Sequence, residues 1–159
     1  MSNLTNILKI TSALAWLFIL CGCQSTANGP AFFEKDFDKS TSALIYIYSD
    51  YGYTGISTPT IKMNEKKLGS LARNGYLYTK AASGTYKFEV PKSLTWDTQT
   101  LPIIIDVELG KQYFVKYTVY PVGSDLYPSG IIDTHFYSKL EVVPSRAGKL
   151  EIKNRKLSK

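Results

Sequence analysis

The sequence predicts an all-β domain, a small antiparallel β-sandwich of about seven or eight strands. Apolar and polar side chains alternate through three separate runs, Tyr86 to Val90, Ile103 to Glu108 and Tyr113 to Val119. A period of two marks a strand with one buried face. Turn residues punctuate the chain at short intervals, at Asn74-Gly75, Ser83-Gly84 and Leu109-Gly110, as expected between short strands. After Ala43 there is no convincing long helix.

In chain order, Met1 to Lys9 is polar with one positive side chain, and Ile10 to Leu20 is mostly apolar, interrupted by Thr11 and Ser12. A membrane-spanning helix needs about 20 apolar residues, so the layout fits a cleaved signal peptide better than a permanent span. Leu20-Cys21-Gly22-Cys23 follows, and it resembles the lipobox of bacterial lipoproteins. There an apolar, a variable and a small residue precede the cysteine that carries the lipid. Lipidation at Cys21 instead would put bulky Leu20 where a small residue belongs. The resemblance implies cleavage after Gly22 and a diacylglyceryl thioether on Cys23, usually with a further acyl chain on the new amino terminus. Two or more chains hold a protein durably on a bilayer. Residues 1–22 are then the signal peptide and 23–42 the lipidated cysteine and its tether, with Gln24 to Gly29 reading as flexible. Gln24 stands where lipoproteins retained in an inner membrane often carry Asp, so the resemblance favours the periplasmic face of the outer membrane.

Pro30 to Lys39, with Phe32, Phe33 and Phe37 among acidic residues, reads either as a short helical turn or as a lead-in strand. The sandwich is expected over 43–153. Leu44 to Tyr48 is apolar on both faces, which suits a central strand covered on each side. Thr58 to Met63 and Tyr76 to Lys80 follow. In the next strands Tyr86, Phe88 and Val90, then Ile103, Ile105 and Val107, then Tyr113, Val115, Tyr117 and Val119 face inward. Leu140 to Val143 and Leu150 to Lys153 complete the set. Glu108-Leu109-Gly110-Lys111 is short enough to predict a hairpin between its two strands, with Gly110 at positive φ. Asp50 to Ser57, Pro91 to Thr100 and Pro121 to Gly130 read as longer loops, where a binding site is most expected. Residues 154–159 form a basic tail expected to fray.

Composition narrows the function classes. The formal net charge is +6, from 19 Lys and Arg against 13 Asp and Glu, and it is spread rather than concentrated. No basic stripe with base-stacking aromatics points to nucleic acid; an anionic membrane surface or cell-wall polymer suits such charge better. Both cysteines lie in the lipobox, so the exported domain has no disulfide and no thiol ligand or nucleophile.

Five segments recur in an order that resembles the domain-of-unknown-function 2846 family of bacterial lipoproteins. They are Ala43-Leu44-Ile45-Tyr46-Ile47-Tyr48, Lys67-Leu68-Gly69-Ser70-Leu71, Asn74-Gly75-Tyr76, Ala82-Ser83-Gly84-Thr85-Tyr86 and Glu108-Leu109-Gly110-Lys111-Gln112-Tyr113. The chain departs mildly from the family at Ser83-Gly84, where members show Pro-Gly. The resemblance implies a small β-sandwich, of immunoglobulin- or transthyretin-like kind, on a lipid anchor, and it carries over no catalytic residue.

Possible chemistry is sparse. Asp133 and His135, the only histidine, share a strand face and could hold a metal or orient a base, but no second His or Cys joins them. Asp106 and Glu108 share a face and could suggest glycosidase or calcium chemistry, but they sit mid-strand on the expected solvent side. No Gly-x-Ser-x-Gly elbow, phosphate loop or His-Glu-x-x-His occurs. The expectation is therefore a protein that is not an enzyme and needs no cofactor or metal. Tyrosine is abundant, with twelve in the chain. Tyr51, Tyr53, Trp96 and Tyr127 fall in expected loops, where aromatics can stack on sugars or anchor a partner. The functional expectation is an envelope lipoprotein held in the membrane by acyl chains on Cys23 and docking an envelope protein or the cell wall. The alternative is a periplasmic glycan- or small-ligand-binding protein, or less readily a hydrolase, with a pocket lined by Tyr51, Tyr53 and Trp96.

Overall fold

The structure, a computed structural model of the chain, describes residues 26–50, 58–92, 100–130 and 132–158. Among the described residues ten strands and one helix follow in order: β1 Ala43–Asp50, β2 Thr60–Met63, β3 Lys66–Ser70, β4 Gly75–Ala81, β5 Gly84–Glu89, β6 Thr100–Leu101, β7 Ile103–Val107, β8 Gln112–Leu126, β9 Ile132–Val143, α1 Ser145–Ile152 and β10 Lys156–Leu157. They build an all-β sandwich of a six-stranded sheet, β10-β4-β1-β8-β9-β6, and a four-stranded sheet, β3-β2-β5-β7. The larger sheet is mixed rather than purely antiparallel: β1 runs parallel to β8, β4 to β10 and β6 to β9.

The alternation expected from sequence holds. Phe88, Val90, Ile105, Val107, Val115, Tyr117 and Val119 are buried between the sheets with Ala43, Ile45 and Ile47 of β1. The opposite face of β1 is buried too. Leu44, Tyr46 and Tyr48 pack with Tyr76, Phe114 and Ile152, against which Phe32, Phe37 and Leu157 lean. A strand apolar on both faces needs cover on both, and here the 26–42 segment, α1 and β10 form that outer layer.

The structure also differs from the sequence expectation at one turn, at one expected strand and at both termini of the domain. Glu108 to Lys111 is not a hairpin, because β7 pairs with β5 in one sheet and β8 with β1 and β9 in the other. The turn carries the chain across the sandwich, and Gly110 still adopts φ +75°. Leu150 to Lys153 is not a strand; α1 ends at Ile152, its Gly148 and Ile152 buried. Thr26 to Gly29 is not a free tether, since Ala27 is buried and its N–H donates to Arg73 O at 2.9 Å. The basic tail does not fray: Lys156 and Leu157 pair with Gly75 and Tyr76, and Ser158 is buried, its hydroxyl accepting from Ala72 N–H at 3.1 Å.

Strand directions define two ends. β1 runs toward Asp50, and β8, parallel to it with Thr118 level with Asp50, continues in the same direction to Leu126. β4, antiparallel to β1, starts at this end at Gly75, and Thr26 bridges to Arg73 just before it. The entry of the N-terminal segment and the far part of β8 therefore share one end. The turns at Asn64-Glu65, Ala82-Ser83 and Leu109-Gly110 share the other.

Candidate functional site

β8 and β9 pair in register from Phe114↔Val143 to Leu126↔Ile132, with an irregularity at Pro121–Gly123. β1 accompanies β8 only as far as Thr118, and β6 accompanies β9 only at Ser138 and Lys139. Beyond those points, among the described residues, 120–126 and 132–137 pair only with each other. At about 3.3 Å per residue this ribbon extends about 20 Å past the sheet. From sequence alone Pro121 to Gly130 reads as a loop, whereas the structure places 121–126 in β8. Its prolines and glycines do argue against a central strand, but a bulged ribbon without flanking strands tolerates them.

Among the described residues, the ribbon carries the largest concentration of exposed apolar side chains: Val122 at 60%, Leu126 at 72%, Tyr127 at 50% and Ile132 at 66% accessibility, with Tyr120 and Tyr137 nearer the base. The two tyrosine rings lie 5.3 Å apart. Alternation sorts the rest by face. Leu126, Ile132 and Phe136 continue the side that faces the four-stranded sheet lower down, whereas Asp125, Asp133 and His135 lie on the other. The bulk of a ribbon this apolar is costly to leave in water.

Of the residues singled out by sequence, Tyr127, Asp133 and His135 lie in this feature. Tyr51, Tyr53 and Trp96, like residues 1–22, Leu20, Cys21, Gly22 and Cys23, lie outside the described residues, as does most of the 50–57 and 91–100 connections. The described residues that flank those connections, Asp50 and Thr58, then Lys92 and Thr100, all stand at the ribbon end. His135 pairs with Asp125 across the ribbon, Nε2 to Oδ2 2.8 Å, rather than with Asp133. That carboxylate, and to a lesser degree Asp133, raises the imidazole pKa above 6.5. Asp106 accepts from Thr85 Oγ1 at 2.7 Å, and Glu108 pairs with Lys111 at 2.8 Å, so the two carboxylates are engaged separately.

Nothing in the described geometry assembles a reaction centre. No group of three or more His, Asp or Glu side chains among the described residues is placed to hold a metal. Among the described residues, two of the clefts open at the ribbon end. One, of about 240 Å³, is lined by Thr26, Asn28, Thr58, Ser70 and Ser158; the other, of about 340 Å³, by Glu89, Lys92, Thr100 and Pro102. The first has hydroxyls and an amide but no titratable group, and in the second Glu89 is already paired with Lys87 at 2.8 Å. A cluster sequence reasoning missed lies under α1. Lys116 Nζ reaches Asp50 Oδ2 at 2.7 Å and Glu151 Oε2 at 2.9 Å, Tyr48 Oη donates to Glu151 at 3.0 Å, and Arg155 bonds Asp50 at 3.0 Å. Each member has at least one partner within the cluster, although the buried Arg155 Nε finds none, and together they clamp the helix to the sheet.

Fold and surface together define a small all-β module with a projecting apolar ribbon and no assembled catalytic group among its described residues. The chain belongs to the family described as protein of unknown function (DUF2846), whose sequence model matches residues 39–127, more than half of the chain. The match runs from just before β1 to just past the tip of β8. No curated protein matches the chain.

Proposed function

We propose that this protein is an exported, lipid-anchored, non-enzymatic module of the bacterial envelope. Cys23 carries the acyl chains, on the periplasmic face of the outer membrane, and the surface left exposed by the anchor docks an envelope protein or the cell wall. The observation that carries the reading of a module working by contact, with the bilayer as well as with a partner, is the ribbon. A domain of this size gains nothing for its own core by extending two strands about 20 Å into solvent with apolar side chains exposed, so their use lies in contact with something else. The lipobox resemblance at Leu20 to Cys23 supports the anchor. The opposite end supports a wall-facing role, since Lys39, Lys66, Lys67, Lys80 and Lys111 gather around its turns and suit an anionic polymer.

The test is fractionation and crosslinking in intact cells. The wild-type chain is expected in the outer-membrane fraction and the Cys23→Ser chain in the soluble periplasm. Photoreactive groups at Lys66 and Lys111 are expected to capture one recurrent protein or cell-wall fragments, lost in the Cys23→Ser form. Unchanged membrane retention of Cys23→Ser defeats the anchor, and a purified domain that turns over a glycan or peptide defeats the non-enzymatic reading.

A further inference from the structure

We infer that the β8–β9 ribbon is a second membrane foot: its tip, Leu126, Tyr127 and Ile132, seats in the interfacial layer of the bilayer that carries the anchor. The inference rests on lipidation at Cys23 and adds to it what the ribbon touches.

The geometry leaves little freedom. Thr26 is fixed to the domain at the ribbon end, bridged to Arg73 and held by Arg73 Nη2 at 3.1 Å. Cys23 lies three residues further out, a span of at most about 10 Å even when extended. With the acyl chains in the bilayer, the ribbon end of the sheet is therefore within about 10 Å of the surface. A ribbon projecting about 20 Å from that same end meets the bilayer unless the domain lies on its side.

The chemistry of the ribbon fits that occupant. The chain has 19 Lys and Arg, yet none lies between Tyr120 and Tyr137, so contact does not depend on attraction to anionic headgroups. The outermost register pair is Leu126↔Ile132, with Tyr127 beside it. An apolar tip with tyrosine near it, and a Tyr120–Tyr137 pair toward the base, matches the graded polarity of a membrane interface, where aromatic rings concentrate. Asp125 and Asp133 face away from Leu126 and Ile132, and His135 sits on their side. Around Gly123 and Gly130 there is open space.

The test uses the full chain in its bacterial membrane. Mass spectrometry of the N-terminal peptide first reports whether Cys23 is acylated, which decides the anchor by itself. Photoreactive groups at Leu126 and Tyr127, and at Leu109 on the opposite end as control, are then activated. Phospholipid adducts are expected at Leu126 and Tyr127, about tenfold above Leu109. In a second arm the Cys23→Ser chain is mixed with phosphatidylethanolamine–phosphatidylglycerol vesicles. Retention is expected to be insensitive to salt and to fall about tenfold in the Leu126→Ser, Ile132→Ser double variant, whose exposed positions leave the fold intact by circular dichroism. Acylated Cys23 with a protein, or a second copy of this chain, captured at Leu126 in place of lipid overturns the foot while leaving the anchor. Equal vesicle retention of the double variant overturns it as well. Lipid capture without acylation supports the foot and removes the anchor.

Discussion

Phe114 occupies the space into which a Cβ on Gly148 would project, so α1 and β8 meet with no atom to spare. Gly in a helix interior costs about 1 kcal/mol relative to Ala, and the close approach that it permits is what lets Ile152 reach the outer core. Gly148→Ala gains that propensity but forces the helix off a side chain rooted in a central strand, an overpacking cost of about 1–3 kcal/mol. The expected outcome is a net loss of about 1–2 kcal/mol, read as a lower denaturant midpoint with an unchanged slope. A stabilised variant would mean that α1 sits further from Phe114.

That contact also shows why α1 was not legible in the sequence. Pro144 before Ser145 is a start signal, but Gly148 breaks the pattern and Leu150-Glu151-Ile152 alternates like a strand. Only the need to pass Phe114 makes glycine favourable there, and that need is tertiary. The double burial of β1 was legible because Leu44 to Tyr48 has no polar position on either face. The crossing at Glu108 to Lys111 was not, since a four-residue turn looks the same whether its strands pair or part. At the candidate site the sequence offered Tyr127 and the Asp133-x-His135 spacing, but the Asp125 partner depends on the ribbon register.

Phe32 lies edge-on to Tyr46 and Tyr76, with ring centroids 5.4 Å away in both cases, and Lys35 N–H donates to Tyr46 Oη at 2.8 Å. These contacts fasten the 26–42 segment over the outer face of β1. Phe32→Ala is expected to cost about 2–3 kcal/mol, less than a fully enclosed ring because Phe32 is only half-buried. Hydrogen exchange should rise along 27–37 and at Leu157 before it rises in β8. Uniform loss of protection would show that the segment is part of the main cooperative unit.

The Lys116 clamp predicts a stability profile limited on both sides. Its hydrogen bond to Lys116 holds the Asp50 carboxyl below 3.8, so that contribution is full above the unfolded value and is lost as pH falls through the folded one. The same bond raises Lys116 above 10.5, so its contribution is full below that value and lost as pH rises through the folded one. Lys116→Met leaves Asp50 and Glu151 without a shared cation, although Arg155 and water still reach Asp50. A loss of about 1–2 kcal/mol at neutral pH is expected. Melting temperature against pH should fall less steeply at the acid end in the variant than in the wild type. Parallel curves would remove the clamp from the stability of the fold.

His135 reports on the ribbon without perturbing the sandwich. Its imidazole and the Asp125 carboxylate are both solvent-exposed, so their pair says nothing about core stability, but the raised pKa exists only while the two strands keep their register. The folded value lies above 6.5, chiefly through the hydrogen bond to Asp125. The pairing is therefore full below about 6.5 and weakens as pH rises through the folded pKa. Asp125→Asn removes the carboxylate charge, and proton NMR titration of the single histidine should move its midpoint down toward 6.5. Asp133→Asn should move it less, because Asp133 acts only through charge at longer range. If neither substitution shifts the midpoint, β8 and β9 do not hold this register at the ribbon in solution, and the ribbon would be a flexible loop rather than two paired strands.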